Sequence, residues 1–158
     1  MSDESPLEFA AALEAGLKLL SKKDASERVV REVLLKGEFS PTVVDLVVHR
    51  LKSKRILDDA RLAETHTQNR LAKGVGLEKL RVELERMGLE AETIEVATTG
   101  AGSNQAELAV EALRKRLRAT EKFNHGRAAR FLASRGFSEE DVETAVRVVL
   151  GAIDSFAE

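Results

Sequence analysis

The sequence predicts an all-α protein: an elongated, curved array of three tandem three-helix repeats. Three observations carry that reading. Apolar residues recur at helical spacing nearly throughout; Val142, Ala145, Val146, Val149 and Ile153, for instance, fall at i, i+3, i+4, i+7 and i+11, the stripe of a core-facing helix. No stretch alternates apolar and polar residues as a half-buried strand does. One helix-ending punctuation is also written three times at nearly constant intervals.

Taken in order, the spacing predicts helices over about residues 7–21, 26–36, 41–53, 59–73, 77–87, 91–98, 105–120, 126–135 and 139–153. Both prolines, Pro6 and Pro41, stand where helices begin, and Ser40 before Pro41 reads as an N-cap followed by proline at the first helical position. Asp58-Asp59 reads the same way, since a carboxylate at a helix start accepts free N–H groups and suits the dipole. Thr98–Ser103, with two glycines among small residues, predicts a hinge, after which Asn104 and Glu107 offer a capping box.

The punctuation is clearest in Leu84–Ile94 and Leu132–Val142, where glycine stands just past a helix, an apolar residue follows, and a new helix starts at once. Glycine at that position takes the left-handed conformation that ends a helix, and the next residue packs back on the last turn, pairing Leu89 with Leu84 and Phe137 with Leu132. The first copy, Val33–Val44, carries Glu38 inserted between Gly37 and Phe39, so its cap is expected to differ. Phe39 to Leu89 is 50 residues and Leu89 to Phe137 is 48, which places repeats at 1–55, 56–103 and 104–158. A unit that short is marginal alone, so neighbours are expected to share buried surface.

Composition excludes several function classes. The 158 residues contain no cysteine, which removes disulfides, thiolate metal sites and thiol nucleophiles. A net charge of −2 excludes binding nucleic acid by overall charge, and six Phe with neither Tyr nor Trp supply few stacking platforms. No run approaches a membrane span, and the acidic Met1–Pro6 lacks a signal-peptide core, so the expected location is cytoplasmic. His49, His66 and His125 share no short ligand spacing, Lys73-Gly74-Val75-Gly76 lacks the strand and Lys-Ser/Thr ending of a P-loop, and no catalytic signature appears. Phe131 and Phe137 read as core or cap residues. The expectation is a protein with no cofactor, no metal and no enzymatic activity.

Charge is unevenly spread. Residues 1–20 carry one basic against four acidic residues and 138–158 one against six, while 105–135 carry eight against three. On a helix, opposite charges three or four apart neutralise one another, so a basic residue without such a neighbour is a candidate for an external partner. Lys79, Arg81 and Arg86 fail this test, because Glu78, Glu83, Glu85 and Glu90 predict a self-paired face on their helix. Arg50, Lys52, Lys54 and Arg55 have no acid at those spacings on the N-terminal side, with Asp58 and Asp59 within reach of Arg55. Arg70, Lys73, Arg116, Lys122, Arg127, Arg130 and Arg135 complete the candidate set, Lys115 being paired with Glu111.

Three stretches resemble the RecX family of bacterial recombination regulators: Ile56–Glu64, reading I-L-D-D-A-R-L-A-E; Lys73-Gly74-Val75-Gly76 followed by Leu80–Leu84 and Gly88; and Arg130–Ser138, reading R-F-L-A-S-R-G-F-S. Order and spacing agree over roughly residues 8–150. Ile56, Leu62 and Val75 stand where members commonly carry aromatics. The resemblance implies a monomeric, non-enzymatic protein that binds the RecA recombinase, mainly as its filament on single-stranded DNA. It would limit filament extension or promote disassembly, lowering ATP hydrolysis, strand exchange and coprotease activity. The basic candidates would then face the recombinase or its DNA, with weak direct DNA contact. Two other classes remain open on the residues alone: a helical-repeat interaction scaffold, although the tetratricopeptide pattern of Trp, Tyr and Pro is missing, and a direct DNA-binding module, disfavoured by charge and scarce aromatics.

Overall fold

Helix starts and stops follow from local chemistry. The structure, a computed structural model, describes residues 6–119 and 124–154, the last three of these by backbone alone. The described residues form nine α-helices: α1 (Pro6–Lys22), α2 (Glu27–Lys36), α3 (Pro41–Ser53), α4 (Asp59–Ala72), α5 (Leu77–Arg86), α6 (Ala91–Thr98), α7 (Gln105–Ala119), α8 (His125–Ser134) and α9 (Glu139–Asp154). No strand occurs among the described residues. The Ser26 and Ser40 hydroxyls accept the N–H groups of Val29 and Val43, and Asn124 accepts that of Arg127. Asp58 accepts the Arg61 N–H, capping α4. In place of the expected capping box before α7, Ala101–Asn104 winds a 3-10 turn that runs straight into the helix, with Gly100 left-handed ahead of it.

The threefold punctuation is one motif in three copies. In α2, α5 and α8 the chain ends with paired bonds: Glu38 N–H to Leu35 O and Phe39 N–H to Leu34 O; Gly88 N–H to Glu85 O and Leu89 N–H to Leu84 O; Gly136 N–H to Ala133 O and Phe137 N–H to Leu132 O. The expectation of an insertion at Glu38 is corrected. Leu34 to Phe39 spans the same five steps as Leu84 to Leu89 and Leu132 to Phe137, and Glu38 itself takes the left-handed position with φ 68°, while Gly37 stays at −76°. Hydrogen bonding fixes the register, and a non-glycine residue bears the steric cost. α3 and α4 end similarly, with Arg55 (φ 56°) and Gly74 (φ 78°) left-handed.

The chain divides into two compact units, one comprising the chain up to Glu64 together with Leu84–Ile94, the other Thr65–Glu83 together with the chain from Glu95 on. In the first, α1 and α2 pack on α3, whose Val43, Val44, Val47, Val48 and Leu51 are buried with Val30 and Leu34. In the second, α7, α8 and α9 enclose Leu113, Leu132, Phe137 and Ala145. The predicted α9 stripe is buried at Val142, Ala145, Val146 and Val149; the side chain of Ile153 lies outside the described set. Each such valine or leucine burial stabilises by about 1.5–3 kcal/mol before the entropy of ordering is set against it.

Two docks onto a turn's backbone carbonyl recur at the repeat interval. In the first unit the Ser26 hydroxyl donates to Met87 O at 2.7 Å, seating the start of α2 on the α5–α6 turn. In the second, the Gly76 N–H donates to Arg135 O at 2.6 Å and the Glu78 N–H to Gly136 O at 3.0 Å, seating the start of α5 on the α8–α9 turn. Close approach explains the glycines. A Cβ on Gly76 would lie 2.4 Å from the Gly136 carbonyl, and one on Gly136, already at φ 92°, would lie 2.2 Å from Lys79 Cβ.

Among the described residues no helix is long and apolar enough to cross a membrane.

Candidate functional site

The structure sorts the basic candidates by what packing brings near them. Lys52 is not without a partner: its ammonium sits 2.9 Å from Glu27 Oε1, because α2 and α3 pack together. The Lys52 hydrogen bond holds the Glu27 carboxyl below its ordinary value despite burial, and Glu27 in turn raises Lys52. Arg70 is corrected likewise, since its Nε and Nη2 grip Glu83 at 3.0 and 2.8 Å while His66 Nε2 lies 3.0 Å from the same carboxylate. Burial pushes Glu83 upward, but the bonds from Arg70 and His66 together outweigh it and leave the carboxyl lowered. The self-paired face expected on α5 does not form. Glu83 turns to α4, and Arg81 reaches Glu95 at 4.0 Å.

Arg50 lies over the Phe9 ring, 5.8 Å from its centroid, a guanidinium contact rather than a free charge. Lys54 is exposed at the C-cap of α3. Arg55 and Lys52 line a cleft of about 560 Å³ whose other walls include Glu27, Asp58, Asp59 and Glu90, so four carboxylates face two cations there. Asp59 caps a helix other than its own, accepting the Glu27 N–H of α2 at 2.9 Å. Its carboxyl is pushed up, chiefly by burial. Arg127 and Arg130 are exposed on α8 and make no ion pair among the described residues. Lys122 lies outside the described residues.

Three candidates converge. Lys73 after α4, Arg116 on α7 and Arg135 after α8 line one cleft of about 470 Å³, floored by Leu71, Leu108 and Ala112. Arg116 and Arg135 place their guanidinium carbons 5.7 and 5.5 Å from the centroid of the Phe131 ring. Glu111, also in the lining, is engaged by Lys115 at 3.4 Å. Phe131 thus serves as a half-buried platform for two cations as well as packing against the core; Arg135 stands four residues on, whereas spacing alone does not reveal Arg116. Among the described residues no group of three or more His, Cys, Asp or Glu side chains could hold a metal ion.

No protein-family model matches the chain. Among curated proteins, the regulatory protein RecX of Chromohalobacter salexigens is 33% identical over 132 residues, covering 82% of this chain and 87% of the relative. The chain belongs to the RecX family. The RecX regulatory protein of Xanthomonas axonopodis pv. citri is 29% identical over 138 residues, 85% of each chain. The crystal structure of RecX from Lactobacillus salivarius shares the fold, with TM-score 0.76 at 17% identity over 90% of this chain and 96% of that one. A second crystal structure of regulatory protein RecX matches with TM-score 0.71 at 22% identity, over 87% of this chain and 72% of that one. RecX proteins are three-helix-repeat regulators rather than enzymes. The stretches that carry the RecX likeness do structural work here: Asp58 and Asp59 cap two helices, the Arg61 guanidinium donates to Arg55 O, and the Gly-x-Gly and Arg-Gly-Phe stretches are the two sides of the Gly76–Arg135 dock.

Proposed function

We propose that this RecX-family chain binds the RecA recombinase, mainly as its filament on single-stranded DNA, and limits filament extension or promotes disassembly. Lower DNA-dependent ATP hydrolysis, strand exchange and coprotease activity follow from a shorter filament, and the ATP chemistry belongs to the recombinase. The protein acts as a monomer in the cytoplasm, where that filament forms. Family membership over most of the chain is the observation that carries this reading. The cleft with Lys73, Arg116 and Arg135 supports it by gathering cations in an acid-poor part of a chain whose net charge is −2. A ligand that binds one filament state more tightly than another shifts the balance toward it. Contacts to several protomers at once add through multivalency, each being weak alone.

Adding the purified chain to RecA filaments pre-formed on single-stranded DNA, and following ATP turnover together with filament length, tests the reading. Loss at substoichiometric amounts assigns action at growing ends, and loss only near saturation assigns occupancy along the filament. Unchanged turnover and length with the cognate recombinase overturn it.

A further inference from the structure

We propose that the cleft walled by the end of α4, by α7 and by α8 receives an acidic segment of the recombinase carrying an apolar side chain. This inference rests on the recombinase binding proposed above and assigns its chemistry to one place. Lys73 and Arg135 line the cleft beside Arg116, and the one carboxylate in the lining, Glu111, sits 3.4 Å from Lys115, which also lines the cleft. Arginine matches a carboxylate with two parallel N–H donors. The floor of Leu71, Leu108 and Ala112 is apolar, so charge alone leaves it wetted; an aliphatic or aromatic side chain between carboxylates removes that water.

Two of the three cationic groups rest on an aromatic ring before a partner arrives. Arg135 is anchored through its backbone, whose carbonyl accepts the Gly76 N–H, and its guanidinium rests over Phe131 beside that of Arg116. Lys73 is fixed through its backbone alone, its N–H donating to Arg70 O and Asn69 O just past α4 and ahead of left-handed Gly74. Anchored donors lose less freedom on binding.

The same geometry disfavours a nucleic-acid strand. Phe131 is the one aromatic residue lining the cleft, and its ring already carries two guanidinium groups, so a base finds no platform there. Phosphates would engage the rim and leave the apolar floor uncovered.

Two variants of the full chain test this. Lys73→Glu with Arg135→Glu reverses the rim, and Ala72→Trp fills the mouth of the cleft without changing charge, Ala72 being an exposed lining residue. Binding is measured to DNA-free recombinase, to filament and to naked oligothymidylate, with thermal unfolding as the control for folding. The expected result is about tenfold or greater weakening on both recombinase forms for both variants, the size of an interface hot spot, with oligothymidylate binding unchanged. Overlapping peptides of the recombinase captured by the wild-type chain are then those with carboxylates flanking an apolar residue. Loss of oligothymidylate binding with recombinase binding intact overturns the proposal in favour of a nucleic-acid strand. Wild-type affinity of both variants for the filament overturns the cleft and leaves recombinase regulation standing. A wild-type chain that binds neither recombinase form defeats the functional reading, and this inference with it.

Discussion

Gly76 and Gly136 touch through their backbones: a Cβ on Gly76 would lie 2.4 Å from both the carbonyl carbon and the carbonyl oxygen of Gly136. The contact joins the Gly-x-Gly turn to the Arg-Gly-Phe turn across 60 residues of sequence, with the Gly76 N–H on Arg135 O at 2.6 Å. Because both obstructing groups are backbone, neither can rotate away. Gly76→Ala therefore costs about 3 kcal/mol, at the upper end of overpacking effects, read as a fall in the urea midpoint. An alanine variant with the wild-type midpoint would show that the two turns do not meet.

Glu38 is the converse case, a side chain where the motif elsewhere has glycine. With φ at 68° it bears the left-handed strain that Gly88 and Gly136 avoid. Glu38→Gly is expected to stabilise the protein by about 1 kcal/mol, the strain relieved exceeding the added freedom of the unfolded chain. For a protein of this length that is a rise of about 2–4 °C in melting temperature. A lower melting temperature contradicts it.

Glu83 makes stability depend on acid. Its folded carboxyl is lowered: burial, the largest single influence, opposes ionisation, but the bonds from Arg70 and His66 prevail. A lowered carboxyl contributes stability that is present above its unfolded value near 4.5 and lost as pH falls through the folded value. Glu83→Gln should flatten the decline in stability on acidification below that pH, while lowering stability at neutral pH by removing the charged partner of Arg70. Parallel pH–stability curves for the two proteins would exclude this role.

Asp59 runs the other way. Burial, followed in order by the opposing bond from the Glu27 N–H and the repulsion of Glu27, leaves its carboxyl raised. The ionised form is then disfavoured by folding, and stability from this group falls as pH rises through the window between the unfolded and folded values. Asp59→Asn keeps an oxygen to accept the Glu27 N–H and removes the charge, so it is expected to be at least as stable as wild type at pH 7 by chemical denaturation. A clear loss would mean that the attraction to Lys52 outweighs burial.

Arg127, Arg130 and Arg135 are the basic residues of α8 and its cap. Under the recombinase regulation proposed above, replacing all three by alanine is expected to weaken inhibition and to reduce its salt dependence, since fewer screened charge contacts remain. Titrations of recombinase ATP turnover at several salt concentrations decide this. Superimposable curves for wild type and variant remove the group.

Helix positions were legible in the residues to within a residue or two at nearly every end, because a cap, a proline or a stop turn acts on its immediate neighbours. The three copies of the stop turn and the caps at Ser40 and Asp58 needed nothing beyond local spacing, and the RecX resemblance rested on three short stretches of residues. Which cations lack partners was not legible. Glu83 looked available to Lys79 and Arg86 on its own helix, yet it serves Arg70 thirteen residues earlier. Glu27 meets Lys52, and Asp59 caps α2 from 32 residues away. Phe131 shows both cases: Arg135, four residues on, reaches its ring locally, while only the assembled fold sets Arg116 of α7 over it. Backbone conformation is chosen by neighbours along the chain, so sequence alone determined the helices and their ends. The pairing of charges depends on distance through space and on the water removed between helices, and that was decided only when the helices packed.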